Sequence, residues 1–119
     1  MALRAINQEV LELFNNLLHD LYFEIPAEGF VAKSGVLAID LFDKDFCIHR
    51  DFVARYHLCI HSVQRVETKG NLSILPGNEV ELNEIQFGAD KRQVSLVCVH
   101  PFQLICWVQE LRITVDQID

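Results

Sequence analysis

LLHDLYFEIP, residues 17 to 26, changes its period halfway along, and that change decides the fold. Upstream of it Ile6, Val10, Leu13, Phe14, Leu17 and Leu18 recur at steps of three and four, with Asn7, Gln8, Glu9, Glu12, Asn15 and Asn16 filling much of the rest. Such spacing predicts one amphipathic helix over residues 6–18. Glu9 and Glu12 stand nearer its start, where the helix dipole favours negative charge. From Leu21 onward the pattern is different: Leu21, Phe23 and Ile25 alternate with Tyr22 and Glu24 until Pro26 stops the run. Alternation of that kind is a strand with one face turned to a core.

The rest of the chain keeps to period two. After the turn-like AEGFVAKSG, residues 36–42 read as a second strand, and residues 46–49 as a short one. Residues 55–69 form one long strand or two joined by a bend, with Lys69-Gly70-Asn71 as the turn that ends it. Residues 72–75 are a short strand stopped by Pro76-Gly77-Asn78. Further strands are expected at 81–87, 93–100 and 102–115, with GADKR as a hairpin loop and Pro101 as a break. In the last of them Leu111, Ile113 and Val115 alternate with Arg112, Thr114 and Asp116, which gives it one wet face.

One helix followed by about seven strands predicts an α+β fold: an N-terminal amphipathic helix packed on a curved antiparallel sheet of about six to eight strands. A parallel sheet would need crossover helices, and the pattern contains none. A small closed β-barrel with one helix is the alternative, because a single helix hides only part of so much apolar strand surface. A homodimer packed through the other face would serve the same end.

The 119 residues suit a single domain spanning 1–119. Half of them are hydrophobic, and 10 basic residues against 17 acidic ones leave a net charge of −7. With the basic residues scattered, nucleic acid and anionic membrane surfaces are excluded as partners. The opening MALRAINQEVLELF has no uninterrupted apolar core of an export signal, and no apolar run reaches the roughly 20 residues of a membrane helix. A cytoplasmic location is expected, with the four cysteines as thiols.

A Cys-x-His unit occurs three times, as FCIH (46–49), LCIH (58–61) and VCVH (97–100). Residues two apart on a strand share a face, so one zinc ion can reach both. If residues 47–59 fold back as a hairpin about Val53, then Cys47 lies opposite Cys59 and His49 opposite His57, a Cys2His2 set. Against zinc stand the absence of any Cys-x-x-Cys knuckle and the habit of free cysteine to pack as a small apolar side chain. The second and third units extend further as LCIHSVQ and VCVHPFQ, sharing Cys, His and Gln.

Other polar candidates are His19-Asp20 at the end of the helix, where a carboxylate beside an imidazole can fix its tautomer, and His61 and His100, which would line a small ligand-binding or enzymatic cup if the strands close around them. No catalytic residue is expected: there is no phosphate-cradling glycine loop, no Gly-x-Ser-x-Gly elbow and no His-Glu-x-x-His. Asp40, Asp43 and Asp45 in AIDLFDKD do not have the spacing or the glycine of an EF-hand and read as a solvated strand end.

The order of LHDLYFEI, VLAIDLFD, SVQRVE and NEIQF along the chain resembles the layout of small bacterial proteins of uncharacterised families, some of them related to contact-dependent toxin immunity proteins. That resemblance implies a non-enzymatic protein-binding module, with His19 and Asp20 as the residues carried over. A protein partner or self-association is therefore expected, with zinc on the Cys-x-His strands and a small ligand-binding or enzymatic sheet domain as the competing readings.

Overall fold

The computed structural model describes residues 2–3, 8–26, 29–42, 56–70, 79–88, 90, 92–99 and 102–117. The short strand β1 (Ala2–Leu3) precedes the helix α1 (Gln8–Leu18). Then come β2 (Tyr22–Glu24), β3 (Leu37–Leu41), β4 (Tyr56–Ile60), β5 (Val63–Gly70), β6 (Glu79–Phe87), β7 (Gln93–Cys98), β8 (Phe102–Val108) and β9 (Ile113–Gln117). The fold is α+β, and every strand pair is antiparallel. The strands expected at 46–49 and 72–75, and the Pro76-Gly77-Asn78 turn, lie outside the described residues.

The strands divide into a four-stranded sheet in the order β1-β9-β4-β3 and a five-stranded sheet in the order β2-β6-β7-β8-β5. What joins them is a bent ribbon. β4 runs into β5 through His61 and Ser62, β8 runs into β9 through residues 109–112, and the two long strands pair on both sides of the bend. Three steps from Ile60 to Val63 face five from Ile113 to Val108, so the second strand takes the longer way round the corner. Ser62 has φ 56°, and the register shifts between Val63 and Arg65. A left-handed residue and a bulge are the means by which a strand leaves one sheet for another. The ladder survives the corner: His61 N–H donates to the Arg112 carbonyl (3.0 Å) and Gln109 N–H to the Ser62 carbonyl (2.9 Å).

On the other side, among the described residues, a bridge joins the sheets: Tyr22 N–H to the Phe42 carbonyl (2.8 Å) and Phe42 N–H to the Tyr22 carbonyl (2.9 Å). The result is a curled pair of sheets drawn together opposite the bent ribbon. Their inner faces hold the core, in which Phe23, Leu41, Leu58, Leu96, Leu104 and Cys106 are wholly buried.

Helix α1 supplies Leu11, Phe14 and Leu18 to that core at three- and four-residue steps; Phe14 and Leu18 belong to the expected stripe, and Leu11 does not. Leu13, which the apolar spacing includes, is 62% exposed. At about 100° per residue it points well away from the stripe defined by the other three. The helix also closes an edge. β2 pairs with only the first three residues of β6, and the remainder of that side of β6 pairs with no described strand. There the Asn15 side chain donates from Nδ2 to the Ile85 carbonyl (3.2 Å) and accepts from Ile85 N–H at Oδ1 (2.7 Å), the two bonds a neighbouring strand would make. Asp20, at φ 70°, ends the helix in the left-handed conformation and donates its N–H to the Leu82 carbonyl (3.1 Å), while Leu82 N–H donates to the Leu21 carbonyl (2.8 Å).

A two-residue hairpin precedes β3. Lys33 and Val36 exchange both backbone bonds around Ser34 (φ 54°) and Gly35 (φ 76°), the two positive φ angles of a type I′ turn. The Gly35 carbonyl then accepts from Val63 N–H (2.8 Å), seating this turn against the start of β5.

Candidate functional site

Two surfaces of the fold have the polar groups or open backbone from which a function can be built. The first is the outer face of the four-stranded sheet. Because Leu58 and Ile60 of β4 point inward, His57 and Cys59 point outward. Their cross-strand neighbours are Asp40 and Ala38 on β3, and Asp116 and Thr114 on β9. His57 Nδ1 lies 2.5 Å from Asp40 Oδ1, and just past the end of β4 His61 Nε2 lies 3.0 Å from Thr114 Oγ1. Carboxylate, imidazole and thiol thus stand in neighbouring rows of one face.

The electrostatics of that face oppose nucleophilic chemistry. Partial burial pushes the Cys59 thiol up from its ordinary range; the Thr114 hydroxyl acts the other way, and the Asp116 and Asp40 carboxylates raise it further. A reactive cysteine needs the reverse, a cation or helix N-terminus that favours thiolate. His61 is held below its usual value, first by burial and then by Arg112. The Asp40–His57 pair is well exposed, with 60% and 40% of the side chains accessible, and a surface pair of this kind adds little stability.

The zinc set expected from the sequence is only half within view. His57 and Cys59 share the outer face of β4, while Cys47 and His49 lie outside the described residues. The strand pairing that was to bring the four together does not have an edge to use: Cys59 already has Ala38 on one side and Thr114 on the other. Among the described residues no group of three or more His, Cys, Asp or Glu side chains is gathered closely enough to hold a metal ion.

The polar set His19, Asp20, His61 and His100 is also divided. His19 Nδ1 is 3.1 Å from the Asn83 carbonyl of β6, and its Nε2 is 3.2 Å from Asp20 Oδ1. Both side chains are more than half exposed and belong to the helix end beside the five-stranded sheet. His61 is held on the other sheet by Thr114 of β9, and His100 lies outside the described residues. A shallow pocket of about 220 Å³ beside Phe30, Val31 and Ala38 is smaller than the roughly 300–1,000 Å³ of ordinary ligand sites.

The second surface is the outer edge of the five-stranded sheet. β5 pairs with β8 on one side, and from Arg65 to Gly70 its other side pairs with no described strand. Val108 N–H donates to the Arg92 carbonyl (2.8 Å), so along β8 the residues in step with Val108 bond toward β7 and those in step with Trp107 bond toward β5. Arg65, Glu67 and Lys69, opposite Trp107, Ile105 and Gln103, consequently spend their backbone groups on β8. Val66 and Thr68 turn theirs to the open side. The strand is exposed from Glu67 to Gly70, and the Arg65 guanidinium lies 3.9 Å above the Trp107 ring, which braces the edge from its outer face.

This edge was missed as a site in the sequence, where VQRVETKG reads as strand and turn alone. Its signal was the charge alternation Arg65, Glu67, Lys69, a pattern suited to an edge strand. No helix among the described residues is long and apolar enough to cross a membrane. The sequence matches no protein-family profile, and comparison with curated proteins and with solved structures finds no match.

Proposed function

We propose that this chain is a non-enzymatic protein-binding module, immunity-like in kind, and that it recognises its partner by strand addition to β5. The observation that carries this reading is the open side of β5, an exposed edge strand on a five-stranded sheet whose Val66 and Thr68 backbone groups face outward. An extended segment laid along it gains main-chain hydrogen bonds at once, and the alternating side chains select which segment fits. His19 and Asp20, carried by the resemblance to immunity proteins, sit on the far edge of the same sheet beside β6 and have no part in the contact.

Thr68→Pro tests the reading, because it removes an N–H from the open side and none from the β5–β8 ladder. Native chain and variant are each purified from the source cells after confirming that both melt alike. A partner retained by the native chain and lost from the variant supports strand addition. Equal retention by both sinks it.

A further inference from the structure

The edge of β5 has a sequence that fits itself. We infer that the partner added to β5 is a second copy of this chain, paired antiparallel about a two-fold axis through Thr68; the inference rests on the reading of β5 as a protein-binding edge. Three features of the strand select that occupant and that register.

The first is the charge order. Arg65, Glu67 and Lys69 lie on one face of the strand at steps of two. With the axis at Glu67, that residue meets its own copy and Arg65 meets Lys69 of the second chain, so every charged pair is repulsive. With the axis at Thr68, Glu67 meets Lys69 of the second chain, twice by symmetry. A guard against self-pairing works best with one sign of charge; alternating signs forbid one register and favour the next. The 3.9 Å separation of Glu67 from Arg65 is a loose surface pair that does not compete strongly for the carboxylate.

The second feature is the backbone. Thr68 and Val66 turn their N–H and C=O groups outward, so a Thr68 axis makes Thr68 a hydrogen-bonded pair with its copy and brings Val66 opposite Gly70. The third is steric. An axis at Val66 also joins unlike charges, Arg65 to Glu67, but it sets Lys69 of the second copy against Val63, whose outward N–H is already taken by Gly35. The Ser34-Gly35 turn therefore blocks that register and leaves the Thr68 one.

Sedimentation equilibrium of the native chain from about 1 µM to about 1 mM, the span between firm and marginal association, reads the dimer directly. A monomer–dimer equilibrium is expected. Glu67→Lys alone and Lys69→Glu alone each place like charges opposite one another twice and weaken the dimer roughly tenfold, whereas the double exchange restores it. A chain that stays monomeric throughout, or a dimer indifferent to both single reversals, overturns the inference. Amide exchange at Val66 and Thr68 in dilute monomer separates this failure from that of the broader reading. Fast exchange in a permanent monomer means that the edge is open but takes a different protein. Slow exchange there means that the edge is already occupied, and both proposals fall.

Discussion

LCIHSVQ at residues 58–64 and VCVHPFQ at 97–103 share Cys, His and Gln in sequence, yet their first three residues present opposite faces. In the first, Leu58 and Ile60 enter the core and Cys59 looks outward among Asp40, Thr114 and Asp116. In the second, Cys98 is the inward residue, opposite Leu82, and Val99 is 54% exposed. The two strands are one residue out of phase, and on a pleated sheet one residue exchanges the faces entirely. Cys59 has polar neighbours. Cys98 has a hydrocarbon environment that pushes its thiol up to about 12, as burial also does for Cys106 on β8. The face that a short repeated motif presents is therefore set by the flanking residues, not by the motif itself.

The largest effect expected from this contrast is in thiol labelling. In a Cys47→Ser chain, a water-soluble maleimide should modify Cys59 in the folded state, while Cys98 and Cys106 react only through unfolding, at least about a thousandfold more slowly for a domain of ordinary stability. Mass spectrometry of peptides after timed quenching reads the three rates. Comparable rates at Cys59 and Cys98 would abolish the distinction between the two strands.

Alkaline stability comes next. The folded-state values for Cys98 and Cys106 lie above the ordinary thiol value of 9.0, so their contribution is complete below pH 9 and is lost as pH rises toward 12. In that window the unfolded chain releases thiol protons that the folded chain keeps. Each of the two thiols then removes about 1.4 kcal/mol per pH unit. Urea melts between pH 8 and 11 should show the decline, and alanine at both positions should flatten it relative to the native chain.

A smaller contrast is expected for serine substitution at neutral pH. Cys106→Ser buries a hydroxyl in an apolar site and should cost about 1–3 kcal/mol, whereas Cys59→Ser on the outer face should cost less than about 0.5 kcal/mol. Chemical denaturation midpoints measure both. The finest test concerns His61, the histidine of the LCIH unit. Burial is the main cause of its depressed value and Arg112 the second, so Arg112→Ala should raise it part of the way and no further. Titration of its ring protons by NMR follows the change; a full return to the ordinary histidine value would mean that Arg112, not burial, is the main cause.

Much of the architecture was legible. Phe14 and Leu18 of the helix stripe and the alternation of Leu21, Phe23 and Ile25 follow from periodicity, which reports local geometry well; Leu11 was passed over, and residues 55–69 read equally as one strand or as two joined by a bend. The bend's consequence was not legible. Ser62 adopts φ 56° without being glycine, and the extra residues lie on another strand some 45 positions later. The candidate sites were harder still. His57, Cys59 and His61 could be placed on one strand, but their neighbours Asp40, Thr114 and Asp116 come from pairings of long sequence separation. Asn15 looked like the polar side of a helix; its bonds to Ile85 depend on where β6 arrives.

That last contact bears on how the chain reaches its folded state. α1 precedes β6 by some sixty residues, so during synthesis the asparagine that will shield the edge leaves the ribosome before the edge exists. A nascent β6 meets its own guard before it meets a neighbouring nascent chain. Among the described residues β5 has no guard of this kind.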